Sequence, residues 1–174
     1  MQPESTPDPE LAEFRAAKDA YMRGPDSPLG PQQRAGFQGL DYYPPNASLR
    51  LELPLDGDVS DEPVTMETST GGAQEYRRAG KIRFEVDGQP AELTIFASHD
   101  QLFLPLRDAT NRTDTYPAGR YLEPEPLGDG KVLVDFNYLY NPYCAYNDQW
   151  SCPIPPVENW ISVPIAAGEK RFHP

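Results

Sequence analysis

From residue 48 onward, apolar and polar positions alternate with the period of a strand. SLRLELPL places Leu49, Leu51, Leu53 and Leu55 on one face and Arg50 and Glu52 on the other, the pattern of a half-buried strand. VTMET repeats it with Val64 and Met66. KIRFEVDGQPAELTIFA reads as a hairpin: Ile82, Phe84 and Val86 alternate up to Asp87-Gly88, and Leu93 and Ile95 alternate on the way back. QLFLPL, KVLVDFN and WISVPI supply three further short runs, the last two again alternating. About seven short strands at this spacing predict a mainly β fold, either a β-sandwich or a partly open β-barrel.

The chain before residue 48 has a different rhythm. Asp8 followed by Pro9 is a helix start, a capping acid with Pro at the first helical position. Leu11, Phe14, Tyr21 and Met22 recur at helical spacing, and Gly24-Pro25 ends the run. The sequence thus predicts one N-terminal helix over 9–23, a flexible arm over 1–7, and a single β-rich domain over 8–174. SPLGPQQRAGFQGLDYYPPN is turn-rich and is expected to wrap the body, anchored by Phe37, Leu40, Tyr42 and Tyr43.

Composition sharpens this picture. With 21 Pro and 13 Gly in 174 residues, long helices are disfavoured and short segments joined by turns are favoured. The net charge of −12 divides as −7 and −5 between the two halves, so it is a diffuse acidic surface and not an acidic tail. Such a surface offers no basic face for nucleic acid and none for an anionic membrane. Adaptation to salt and plain solubility are both consistent with it. No stretch approaches the ~18 apolar residues of a membrane helix. MQPESTPDPELAEF lacks the basic start and apolar run of a signal peptide, so a cytoplasmic location is expected.

Candidate chemistry gathers in DFNYLYNPYCAYNDQWSCPIPPVENW, residues 135–160. This stretch holds both cysteines, both tryptophans, three acids and no Lys or Arg. Cys144 and Cys152, eight positions apart, allow several readings: a disulfide, a redox pair, a Cys144 nucleophile served by His99, part of a metal site, or two inert buried thiols. Four-ligand zinc geometry is not available from two cysteines and two distant histidines, so no metal and no cofactor are expected. Asp135 lies out of phase with Val132, Val134 and Phe136, and Glu158 follows a Pro-Pro corner. Brought together, the two carboxylates would suit general acid–base work; paired with Arg120, either would simply tie a loop to the sheet. Tyr138, Tyr140, Tyr143, Tyr146, Trp150 and Trp160 suit a stacking wall for a ligand and equally a cover for an open barrel end. Asn137, Asn141, Asn147 and Asn159 suit loop anchoring. No phosphate loop, HExxH or GxSxG is present.

The stretches DATN…TYPAGRYL at 108–122, VDFNYLYNPYCAY at 134–146 and CPIPPVEN…IAAGEK at 152–170 resemble the bacterial and archaeal family known as domain of unknown function 1684. FQGLDYYP at 37–44 is similar to that family's upstream element. The resemblance implies that Asp108, Thr110, Tyr116, Gly119, Arg120, Tyr121, Asp135, Asn137, Asn141, Cys144, Tyr146, Cys152, Pro155, Pro156, Glu158 and Asn159 occupy signature positions. It implies no activity. Arg112 and Pro117 stand where the family usually has glycine, and Tyr143 where it usually repeats proline.

Together these readings predict a pocket built from 116–122 and 135–160, with Arg120, Tyr121, Asp135, Asn137, Asn141, Tyr146, Glu158 and Asn159 binding a small polar ligand or a peptide. The competing expectations are a hydrolase-like enzyme using Asp135 and Glu158, with Cys144 as an alternative nucleophile, and a structural or partner-binding protein with no active site. Oligomeric state is not legible in the sequence.

Overall fold

The computed structural model describes residues 8–173; the arm expected at 1–7 lies outside the described residues. Helix α1 (Pro9–Arg23) starts where expected, with the Asp8 carboxylate accepting the backbone N–H of Leu11 at 3.0 Å. It buries Leu11 and Met22, whereas Phe14 and Tyr21, expected on the same stripe, lie at the surface. A short second helix, α2 (Pro31–Ala35), sits inside the turn-rich segment. Phe37 and Leu40 from that segment pack on Met22, Leu29 and Tyr146, which holds it against the body.

Among the described residues, eight strands form two antiparallel sheets. One sheet joins β1 (Arg50–Pro54), β8 (Lys131–Asp135) and β7 (Glu125–Gly128), in that order. The other runs β2 (Val64–Glu67), β3 (Ala73–Val86), β4 (Gln89–Ser98), β5 (Gln101–Leu106) and β6 (Arg120–Leu122). The fold is thus mainly β, curled into a half barrel behind an N-terminal helix. The β3–β4 hairpin turns at Asp87 and Gly88, both with positive φ (50° and 79°), as an Asp-Gly hairpin turn requires.

The sheets are stitched at two corners. Just beyond β1, Asp56 and Lys81 of β3 exchange backbone hydrogen bonds of 2.9 and 2.8 Å. This crossing needs Gly80, because a Cβ there would lie 2.7 Å from both the Asp56 carbonyl oxygen and the Leu55 side chain. At the far edge, Tyr121 of β6 pairs with Tyr140, which follows β8. The core fills the space between: Ile82, Leu93, Ile95, Leu104, Leu106, Val134, Phe136 and Ile165 have no exposed surface.

One expected strand is absent. WISVPI buries Val163 and Ile165 as its alternation predicts, but it makes only one bridge, Trp160 to Arg107. Its backbone is satisfied by other means: Ala109 N–H donates to the Val163 carbonyl, Ile165 N–H to the Asp108 carboxylate at 2.6 Å, and the Arg120 guanidinium to the Ile165 carbonyl. Alternation reported burial there, and the Asp108 and Arg120 side chains took over part of the strand's hydrogen bonding. Two strands without alternating patterns, β6 and β7, go beyond the expected set.

Candidate functional site

After Asp135 the chain forms no further strand up to residue 173, yet much of it is buried. A buried backbone without a ladder needs other partners, and asparagine is suited to supply them because its amide carries the donor and acceptor of a peptide unit. Asn137 accepts the Asn46 N–H at 2.8 Å and donates to the Asn46 carbonyl at 2.9 Å. Asn159 does the same to Thr94 of β4, at 2.8 Å each way, and donates also to the Pro105 carbonyl of β5. Each side chain thus mimics a neighbouring strand. Asn141, also buried, donates to the Lys170 carbonyl at 3.0 Å.

Arg120 is wholly buried and points into the C-terminal segment. Its guanidinium donates to the carbonyls of Ala167 (2.5 Å), Glu169 (3.1 Å) and Ile165 (2.9 Å), and to the Asp108 carboxylate at 3.4 Å. Its charge partner is therefore Asp108, not Asp135 or Glu158. Asp108 also accepts the Thr110 hydroxyl and the Ile165 N–H. Residue 168 lets this segment pass Leu139: Gly168 has φ +78°, and a Cβ there would lie 2.6 Å from the Leu139 carbonyl.

A second buried hub, not singled out by the sequence, is Glu169. It is 1 % exposed, pairs with Lys18 of α1, and accepts the Tyr146 hydroxyl at 2.5 Å. Burial, then the Glu169 charge, pushes the Tyr146 phenol well above its ordinary range. Only the isolated acid within IAAGEK, preceded by three small residues, could have flagged it.

The two carboxylates proposed for acid–base work belong to different surroundings. Asp135 ends β8, caps the 3₁₀ turn that follows by accepting the Asn137 N–H at 3.0 Å, and lies 3.8 Å from Arg50. Glu158 meets Arg78 of β3 through two hydrogen bonds of 3.1 and 2.9 Å and accepts the Thr94 hydroxyl at 2.9 Å. Burial raises its pKa, but the Arg78 and Thr94 hydrogen bonds outweigh that and hold it below the usual carboxylate range. Among the described residues the two share no hydrogen-bond or ion-pair partner. Tyr121 is buried, donates to the Pro153 carbonyl and stacks edge-on against Phe103 and Tyr140.

The eight expected ligand-binding residues therefore do not gather around one cavity. What lies beside them is a groove of about 420 Å³ between the start of α1 and the outer face of the β7–β8–β1 sheet. Leu122, Asp135, Tyr138 and Tyr140, from the expected segments, line one side. The helix cap Asp8, Glu10 and Phe14 of α1, Arg50, Leu133 and the acids Glu123 and Glu125 complete it. Phe14 meets Tyr138 edge-on at 4.9 Å, and the Tyr140 hydroxyl donates to Glu123. Burial and the neighbouring Glu123 carboxylate push the Tyr140 phenol well up, so its ring is a neutral wall with a fixed polar tip. The contribution of α1 was hidden in the sequence, because Phe14 reads there as part of the helix's apolar stripe, whereas it lies at the surface. Among the described residues no cluster of His, Cys, Asp and Glu has metal-holding geometry. No helix among them is long and apolar enough to cross a membrane.

These features define a class: a curled half barrel whose irregular C-terminal segment is tied on by buried Asn, Arg and Glu side chains, with an acidic, aromatic groove under its N-terminal helix. The same fold is seen in the solution NMR structure of an uncharacterised protein of Haloarcula marismortui, which is 34% identical, with 92% of each chain covered and a TM-score of 0.70. Residues 35–170 match the family described as Protein of unknown function (DUF1684), and the chain belongs to it. No curated protein matches the chain.

Proposed function

We propose that the protein is a binding module whose ligand is an organic cation, an ammonium or guanidinium group carried on a short aliphatic or peptide stem, held in the groove under α1. The observation that supports this is the groove's lining: five carboxylates and three aromatic rings against one guanidinium. Carboxylates attract the charge, and the ring faces of Tyr138, Tyr140 and Phe14 accept the stem and add cation–π attraction. Lys18 already holds its ammonium 4.9 Å from the Tyr140 ring centroid, on a face of the same ring. The overall charge of −12 favours the encounter.

The test is an NMR titration with n-butylguanidinium and n-butylammonium, with n-butanol as the neutral control. The expected result is saturable shifts of Tyr138, Tyr140, Glu123 and Glu125 amides with the cations alone. Binding should weaken at high salt and on Glu125→Gln. Equal shifts with n-butanol, or cation-induced shifts scattered over the surface without saturation, would refute the proposal.

A further inference from the structure

Cys144 and Cys152 are both free thiols, and both are buried. They are in contact: the Cys144 backbone N–H donates to the Cys152 sulfur at 3.3 Å. The Tyr116 hydroxyl donates to the Cys144 sulfur at 3.6 Å. Behind them, the Cys152 N–H is fixed by the Ser69 hydroxyl at 3.1 Å, and Tyr121 packs in the same cluster. The two residues are equally buried, at 8 % exposure each, and differ in what they face. Cys144 forms part of the wall of an open depression of about 560 Å³, whose rim includes Gln33, Asp148 and His173, while Cys152 does not line it.

We propose that Cys144 and Cys152 form a hydroperoxide-reactive dithiol, in which Cys144 meets the oxidant in the depression and Cys152 resolves it to a reversible disulfide. The Cys144 thiolate attacks one peroxide oxygen, the O–O bond breaks, and the departing hydroxide takes a proton and leaves as water. Cys144 is then a sulfenic acid. The Cys152 sulfur attacks the Cys144 sulfur, the S–S bond forms and the S–O bond breaks. The Cys152 proton leaves with the hydroxide as a second water. Two thiols have been oxidised and one peroxide reduced to two waters; a small dithiol reverses the change by exchange.

Three features fit this chemistry. The sulfurs already belong to adjacent groups, so the second step needs no long rearrangement. Tyr116 supplies an O–H to the anionic sulfur, as a positioning residue. The Cys144 thiol is pulled down to about 6, mainly by the hydrogen bond from Cys152 and then by Tyr116, against an opposing effect of burial. Cys152 is pushed up, first by the proton it shares with Cys144 and then by burial, so it holds its proton until the second step. The other titratable groups facing the pair are Tyr121, Asp148 and His173. A disulfide would close the loop that carries Trp150, whose indole N–H donates to the Pro28 carbonyl.

The full chain, reduced and then exposed to hydrogen peroxide, should lose the mass of two hydrogen atoms and lose both iodoacetamide-reactive thiols. Peptide mapping should join Cys144 to Cys152, and dithiothreitol should restore both thiols. Cys152→Ser should stop at a Cys144 sulfenic acid trapped by dimedone. Tyr116→Phe should raise the midpoint of the Cys144 alkylation profile, lowering the rate at pH 6 about tenfold. Two thiols still alkylatable after a glutathione control has oxidised would overturn the proposal, as would a disulfide between chains or first oxidation at Cys152. The wild-type mass measurement decides the matter even where a variant fails to fold.

Discussion

Replacing Arg120 by Met keeps most of the buried stem and removes the guanidinium. The structure sets the cost. Arg120 and Asp108 both have fully buried side chains, so the variant leaves a buried carboxylate without its counter-charge. Breaking a buried pair by deleting one partner costs about 3–5 kcal/mol. Three carbonyls also lose their donor, those of Ala167, Glu169 and Ile165. Against this, Asp108 keeps the Thr110 hydroxyl and the Ile165 N–H, which soften the loss. The expected destabilisation is therefore about 4 kcal/mol, out of the ~5–15 typical of a domain. Arg120→Lys restores the charge but not the fork that reaches several acceptors at once, and should recover about half. Asp108→Asn in the Arg120→Met background should be less harmful than either single change predicts, with a coupling of about 1–3 kcal/mol. Urea unfolding followed by tryptophan fluorescence, converted through the midpoint and slope, measures the wild type and the four variants, the Asp108→Asn single change included. A loss below about 0.5 kcal/mol for Arg120→Met is what a surface ligand-binding arginine would give, and would refute the reading of Arg120 as a structural tie.

Asn159→Ala should cost about 3 kcal/mol in the same assay, because it strands one N–H and two carbonyls inside the β4–β5 edge; a value under about 1 kcal/mol would mean that water replaces the amide. Gly168→Ala should cost about 2–4 kcal/mol, since the new Cβ meets the Leu139 carbonyl at 2.6 Å on a backbone with φ +78°; circular dichroism melting reads it directly. Glu158→Gln should have a pH signature. The Glu158 carboxyl sits below its ordinary pKa, so its contribution is fully present above the unfolded-state value and is lost as pH falls through the lower folded value. Wild type and Glu158→Gln should therefore differ slightly at neutral pH and converge once the pH has fallen below the lowered folded value; a gap that widens in acid would show the sign to be wrong.

The parts of the fold legible in the sequence are those where the backbone satisfies itself. In β1, β3, β4 and β8 the ladder fixes the chain as extended, so burial alternates and the pattern of Leu51 and Leu53 or Ile82 and Phe84 is visible one segment at a time. The Asp8-Pro9 start was visible for the same local reason. β6 hid because Arg120, Tyr121 and Leu122 are all buried, which leaves no alternation. β7 hid because Pro126 argues against a strand and all four residues are exposed. An outer edge strand is where proline is tolerated.

The stretch 135–160 gives only Asp135, Tyr138 and Tyr140 to the groove, for a physical reason that its composition does announce. A chain that crosses the interior without a strand partner loses the backbone donors and acceptors that a ladder would pair. Proline lowers the need by removing donors, and asparagine meets the remainder with an amide shaped like a peptide unit. That accounts for the density of Pro and Asn there, and for the paired bonds of Asn137 to Asn46 and Asn159 to Thr94. Which backbone each amide would meet is decided by the fold, not by spacing, so the same residues read equally well as ligand contacts. The sequence criterion that separates the two readings is charge. Between residues 136 and 160 the side chains spent on the chain's own peptide groups include the neutral amides of Asn137, Asn141 and Asn159, while the groove walls carry carboxylates, Glu10 and Glu125 among them. By that criterion the acidic residues at the start of α1 and in β7 and its approach are the ones to change first in a search for ligand, and the asparagines are the ones to change in a search for stability.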